Sequence, residues 1–427
     1  MVNRLIIKVV GAFVFIIMQF PAMAENTLHY PDPSEVRELV ARDGLPNFFA
    51  KALGGDSVKV AYLGGSITAQ PGWRVFSLEW LQQQYPKAAF SEINAAIGGT
   101  GSDFGVFRLH EQVLRFNPDL VFVEFAVNDG STPAEKITRS MEGIVRQIWE
   151  QNPAIDICFV YTLKDSYLEK YLQGQLPPSA VTMEKVADHY GIPSINFGVE
   201  VNKQVQGQQL IFEGKSQEID GVPVFSPDGV HPYPETGHRI YQQVIQRALE
   251  AMAQPAKPKK HRLPKPLTSD YFSNTQMLDI PEAALSKNWD RLAVDDHAFL
   301  TKFDNYLSEV TRTGKSGETL TLRFKGRTIG AYDIMGPGAG KVIVEVDGVV
   351  QDTLSRFDAY CTYWRMNYFL IDHLEDQEHE VVFRVLAEPF DKAAILAKRD
   401  QVMENPTDYE ENSWYVGKIM LDGELLK

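Results

Sequence analysis

The chain has 427 residues, 44% of them hydrophobic, and a formal net charge of -14 from 42 Lys and Arg against 56 Asp and Glu. That acidic balance excludes nucleic acids and anionic membrane surfaces as main partners, because both recruit clusters of Lys and Arg. The length suits two domains of ordinary size, and the two cysteines, Cys158 and Cys361, lack the paired spacing of metal ligands.

Along the chain, Arg4 and Lys8 precede an apolar run at residues 9–20, and Ala22-Met23-Ala24 follows it. This is the pattern of a signal peptide over residues 1–24, which predicts a secreted or periplasmic protein. The apolar run is shorter than the roughly 20 residues of a spanning helix, and no later segment approaches that length. Apolar runs at residues 58–63, 90–95, 120–125, 155–161 and 194–197 read as strands. Residues 73–84, 106–116, 133–151, 180–190 and 233–252 carry helical spacing. Strands alternating with helices predict a parallel sheet covered on both faces, with ligands bound beyond the carboxyl ends of its strands. Cys158 falls inside one of these strands and reads as a buried thiol.

Residues 254–266, "QPAKPKKHRLPKP", read as a semi-extended linker rich in proline and lysine. Beyond it the rhythm changes to short alternating runs, "TLTLRF", "TIGAYDI", "KVIVEVDGVVQDTL", "YWRMNYFLI", "HEVVFRVL" and "SWYVGKIML". Asp347-Gly348 between two such runs signals a hairpin. Residues 25–253 therefore read as an α/β domain, and residues 267–427 as an antiparallel β-sandwich.

Four segments of the first domain end at the expected binding edge. Ser66 follows two glycines after the first strand, and Gly98, Gly99 and Gly101 follow the second. Asn128-Asp129 breaks the third, and Asp228 and His231 precede the last helix. Singly these are ordinary turn residues; together they meet the needs of acyl transfer. A serine hydroxyl requires a base, which His231 supplies, and Asp228 would orient the imidazole. The backbone N–H groups of Ser66 and Gly99 and the Asn128 amide would form an oxyanion hole.

"GGSIT", "NAAIGGTGS", "FAVND" and "SPDGVHP" resemble, in order, the four sequence blocks of the SGNH hydrolases, the GDSL esterase/lipase family. The resemblance implies a flavodoxin-like three-layer α/β/α fold with Ser66 as nucleophile. Asp228 and His231 would complete the triad, and Gly99 and Asn128 the oxyanion hole. Gly65 stands where the family's name has aspartate, so contacts beside the nucleophile must differ. Exported members with an appended β-domain are similar to esterases that deacetylate polysaccharides. The expected reaction is hydrolysis of an acetyl or other small ester on a carbohydrate through an acyl-Ser66 intermediate, with no metal or organic cofactor. The rivals are a lipid or thioester hydrolase or an acyltransferase on the same triad, and a carbohydrate-binding protein without catalysis.

Gln70, Trp73 and Arg74 follow the serine closely enough to line a cleft; Trp73 would either stack on a sugar or pack its helix onto the sheet. The aromatic-rich residues 357–369 would be either core or a sugar-binding face. "GGTGSDFG" has its last glycine one place too late for a dinucleotide fingerprint. "GPGAGKV" has one residue too few, and Val342 in place of Ser or Thr, for a phosphate loop. His110 and His238 receive no role.

Overall fold

The computed structural model describes residues 32–255 and 257–426. The expected leader lies outside the described residues. The first part is built on strands β1 (Ser57–Gly64), β2 (Ala89–Ala96), β3 (Leu120–Glu124), β4 (Asp156–Tyr161) and β5 (Ser194–Asn196). They lie side by side, all parallel, in the order β5-β4-β3-β1-β2; Leu39–Val40 adds an antiparallel edge to β5. All five residues of β3 and all six of β4 are buried, as expected for central strands covered on both faces.

The connecting helices are α1 (Trp73–Gln84), α2 (Ser102–Gln112), α3 (Ala134–Gln151) and α4 (Pro178–Tyr190), and α5 (Gly237–Met252) closes the domain. α1 packs against α5, α2 against α3, and α3 against α4. The order β2-β1-β3-β4-β5 is the flavodoxin-like one, and its direction reverses at β1. The carboxyl ends of β1 and β3 therefore flank the crevice where such sheets bind ligands. A small sheet of Ile211–Glu213, Glu218–Ile219 and Val222–Ser226, absent from the sequence reading, precedes α5. Its last strand delivers the chain to Asp228.

The second part is an all-antiparallel, nine-stranded sheet. Its axis is β6 (Thr319–Met335), whose first half pairs with β10 (Gln377–Leu386) and second half with β9 (Arg365–Ile371), while β11 (Trp414–Leu425) runs along its other edge. "TLTLRF" and "TIGAYDI" are thus one 17-residue strand and not two. Gly326, between the two runs, permits a close approach of the partner strand: a Cβ there would stand 2.2 Å from the Asp422 carbonyl oxygen. The hairpin of β7 (Lys341–Val346) and β8 (Val349–Ser355) turns at Asp347 and Gly348, whose φ values of +52° and +76° suit a type I′ turn. Leu320, Leu322, Val342, Val344, Val381, Phe383, Trp414 and Val416 share one apolar core inside this sheet.

A single apolar cluster runs from the parallel sheet through Phe104, Phe107 and Phe272 into Tyr332, Ile334 and Met420 of the antiparallel part. Residues 257–266 have no helix or strand, and hydrogen bonds fix them along their length. Lys259 N–H donates to Asn47, His261 bonds the buried Asp156 at 2.7 Å and stacks on Trp149, and Arg146 donates to the Pro264 carbonyl. Cys158 and Cys361 are both buried and unbridged. Among the described residues no helix is long and apolar enough to cross a membrane.

Candidate active site

Ser66 is the first residue of a one-turn helix, Ser66–Ala69, that begins where β1 ends. Its N–H therefore has no partner within that helix. His231 Nε2 lies 2.8 Å from Ser66 Oγ, and His231 Nδ1 lies 2.8 Å from Asp228 Oδ2. Because an ionised carboxylate only accepts, Nδ1 carries the proton and Nε2 accepts from the serine hydroxyl. Asp228 Oδ1 accepts from the backbone N–H groups of Val230 (3.0 Å) and His231 (2.8 Å) and from Ser226 Oγ (3.0 Å). Partial burial pushes the Asp228 carboxyl up, but these hydrogen bonds and the His231 ring outweigh it and hold it at about 2.

Gly99 has φ +73°, a conformation that favours glycine, and Gly98 lies against the Ser66 side chain. Asn128 opens a 3-10 turn directly after β3, and its side-chain amide lies beside Gly65. The structure thus gathers Ser66, Gly98, Asn128 and His231 at the carboxyl edge where the strand order reverses, with Gly99 next in the same turn and Asp228 behind the imidazole.

Residues 62–240 match the GDSL-like lipase/acylhydrolase family. This stretch is similar to a GDSL-like acylhydrolase domain. Two solved structures of a two-domain esterase active on acetylated mannans, one co-crystallised with mannopentaose, resemble the whole fold. They have TM-scores of 0.65 and 0.67 at 22% identity, covering 88% of this chain and 93% of theirs. An acetyl xylan esterase matches over 45% of the chain at 20% identity with a TM-score of 0.37. No curated protein matches in sequence.

The structure explains the departure from the family pattern at Gly65. A Cβ there would stand 2.1 Å from Asn128 Oδ1, so the space a side chain would fill holds the Asn128 amide. Two of the three expected cleft residues are corrected. Trp73 is fully buried among Tyr62, Phe122 and Phe197, with ring centroids 5.4 to 5.9 Å away, and no sugar reaches it. Arg74 is buried too, pairs with Glu92 and donates to the Thr68 carbonyl, so it braces the Ser66 helix and is withdrawn from any acidic polymer. Gln70 remains half-buried, with Oε1 3.2 Å from His238 Nε2. His238 is itself buried; burial and the neighbouring His231 lower it to about 4, so it stays neutral, and its Nδ1 accepts the Trp73 N–H. In the 357–369 stretch, Phe357 and Phe369 are core while Tyr360 and Tyr363 are exposed.

Two supporting residues, Glu124 and Arg108, escaped the sequence reading, and a third, Asp129, is named there without a role. Glu124, fully buried at the end of β3, accepts from the hydroxyls of Thr68 (2.8 Å) and Thr162 (2.7 Å). A glutamate inside the apolar run "VFVEF" was the available signal. Arg108, fully buried on α2, donates to the carbonyls of Gly64 and Ala95 and so ties the ends of β1 and β2 together. Asp129 Oδ1 accepts the Ser102 N–H at 3.0 Å, linking the Asn128 turn to the start of α2.

Burial raises the Asp129 carboxyl to about 7, hydrogen bonds from Ser102 oppose the rise, and Asp103 and Glu124 add to it. Its proton is held more tightly in the folded chain than in the unfolded one, so stability falls as pH rises through the interval between about 4 and about 7. Asp129→Asn should therefore be more stable than the parent above about pH 7, with a gap in Tm that widens between about pH 5 and about pH 8. Thermal melts across that range check it; a gap that does not change with pH would contradict the buried charge. Glu135, Asp270 and His373 bring potential metal-ligand atoms within 4.8 Å of one another, but Asp270 already pairs with Arg139 and none of the three belongs to this site.

Proposed function

We propose that this protein is a serine esterase that removes small acyl groups, chiefly acetyl, from a carbohydrate or polysaccharide. The observation that carries the reading is the unbroken chain from Ser66 Oγ through His231 to Asp228, with both links at 2.8 Å. His231 Nε2 takes the Ser66 proton as Oγ attacks the ester carbonyl. The negative charge that forms on oxygen is met by the N–H groups of Ser66 and Gly99 and by the Asn128 amide, each worth roughly 2.7 to 4 kcal/mol where such donors have been removed elsewhere. His231 then protonates the departing sugar hydroxyl, and water, deprotonated by the same imidazole, releases the acid from acyl-Ser66. Asp228, ionised at any working pH, keeps the imidazole in the required tautomer and stabilises its cation. No step calls for a metal or organic cofactor.

An acylated carbohydrate is supported by the openness of the site: the His231 side chain is 34% exposed and that of Asp228 47%. An ester projecting from a bulky polymer reaches such a site without being engulfed. The two-domain fold shared with an esterase active on acetylated mannans supports the same substrate class. The leader-like residues 1–24 support action in a periplasm or outside the cell. A series of p-nitrophenyl esters of increasing chain length tests the acyl group. The expected result is a kcat/KM that falls at least about tenfold from acetate to octanoate; a rise along the series would instead favour a lipid hydrolase.

A further inference from the structure

The turn at Gly98-Gly99-Thr100-Gly101 poses a physical problem. Three of its four residues are glycines, the most mobile residues in the unfolded chain and the least constrained in a turn. An oxyanion donor is effective only when it is fixed before the charge develops. Something outside the turn must hold it.

Two contacts act on its far end. From within the α/β domain, Asp129, next to Asn128, accepts the Ser102 N–H. From the antiparallel domain, Tyr368 on β9 reaches the same place. Its hydroxyl donates to Asp103 Oδ1 at 2.6 Å, and its ring stacks on Phe104 with centroids 4.7 Å apart and planes 15° from parallel. Asp103 is held in turn by Lys136 at 2.7 Å. Gly101 has no room for a side chain, since a Cβ would stand 2.4 Å from Asp129 Oδ1, so this end of the turn is gripped from both domains.

We propose that Tyr368 is a positioning residue for the acyl-transfer reaction: through Asp103 and Phe104, directly after Gly101-Ser102, it fixes the turn that presents the Gly99 N–H, and the antiparallel domain thereby completes the oxyanion hole. The proposal rests on the reading of Ser66 and Gly99 given above. It gives the antiparallel domain a role in the chemical step that is separate from any binding of polymer.

Tyr368→Phe keeps the ring and its stacking and removes the hydrogen bond to Asp103. With p-nitrophenyl acetate, kcat should fall about ten- to a hundredfold, the range expected when a reacting contact shifts by up to about 1 Å. KM should change by less than about twofold, because the oxyanion donors act on charge that develops only in the transition state. The rate of Ser66 phosphorylation by diethyl p-nitrophenyl phosphate should fall by a similar factor, since its phosphoryl oxygen occupies the same hole. If the substitution lowers Tm markedly, Asp103→Asn weakens the same bond from its other partner and is read by the same criteria. An unchanged kcat, or a raised KM with kcat intact, would overturn the proposal. Ser66→Ala, assayed alongside, separates the two levels: an inactive Ser66→Ala with a fully active Tyr368→Phe leaves the serine reading standing and removes this one. An active Ser66→Ala removes both.

Discussion

Replacing Ser66 with alanine should lower p-nitrophenyl acetate hydrolysis by about 10⁴- to 10⁶-fold, because loss of a nucleophile removes the covalent route and leaves only binding and the oxyanion donors. The fold should survive. Ser66 contributes a small side chain at the edge of the sheet, and the one-turn helix it opens is held independently by Arg74, Thr68 and Glu124. The variant's Tm should stay within a few degrees of the parent, since surface substitutions usually change stability by no more than about 0.5 kcal/mol. Steady-state kinetics and a thermal melt on the same preparation check both halves. A folded variant that retains more than a few per cent of the parental rate would exclude Ser66 as nucleophile.

The second large effect concerns the division of the chain. A fragment ending at residue 253 should not accumulate as a soluble, active monomer. Phe104 and Phe107 on α2 pack against Tyr332, Tyr368 and Phe272, all of which lie beyond that point. Exposing these two rings costs about 3 to 6 kcal/mol, a large share of the roughly 5 to 15 kcal/mol that stabilises a domain. Arg139, fully buried on α3, would also lose Asp372, which it holds in a two-pronged pair at 2.9 and 3.1 Å. Asp156 and Glu142, both buried, would lose the hydrogen bonds they accept from His261, Leu267 and Thr268. Size-exclusion chromatography and near-ultraviolet circular dichroism decide the matter; a monodisperse fragment with parental activity would show that the second domain is dispensable.

Sequence patterns legible at short range carried most of the site. Glycines, an asparagine and an Asp-x-x-His stretch at the ends of apolar runs are local signals, and a parallel sheet brings the ends of its strands together by construction. What failed was direction. Trp73 and Arg74 lie near Ser66 in the chain, but proximity does not say which way a helix faces. The sequence held the answer for Trp73: it falls with Phe76, Ser77, Trp80 and Leu81 on one stripe at helical spacing, and all five are buried. The strand Thr319–Met335 reads in the sequence as two runs because Lys325-Gly326-Arg327 interrupts the apolar alternation, and only the partner strands show that it continues. Tyr368 lies in the aromatic stretch 357–369, but nothing local ties it to the site. It meets Asp103 across 265 residues of chain, and only the packing of the two sheets reveals the contact.

The central claim is that Ser66 deacetylates a carbohydrate polymer. The most direct measurement is acetate release from acetylated mannan and acetylated xylan by the full chain and by its Ser66→Ala variant. Steady release from at least one polymer by the parent and none above background by the variant is the expected result. Equal release by both proteins would contradict the nucleophile, and no release from any acetylated polysaccharide, with p-nitrophenyl acetate still cleaved, would contradict the substrate.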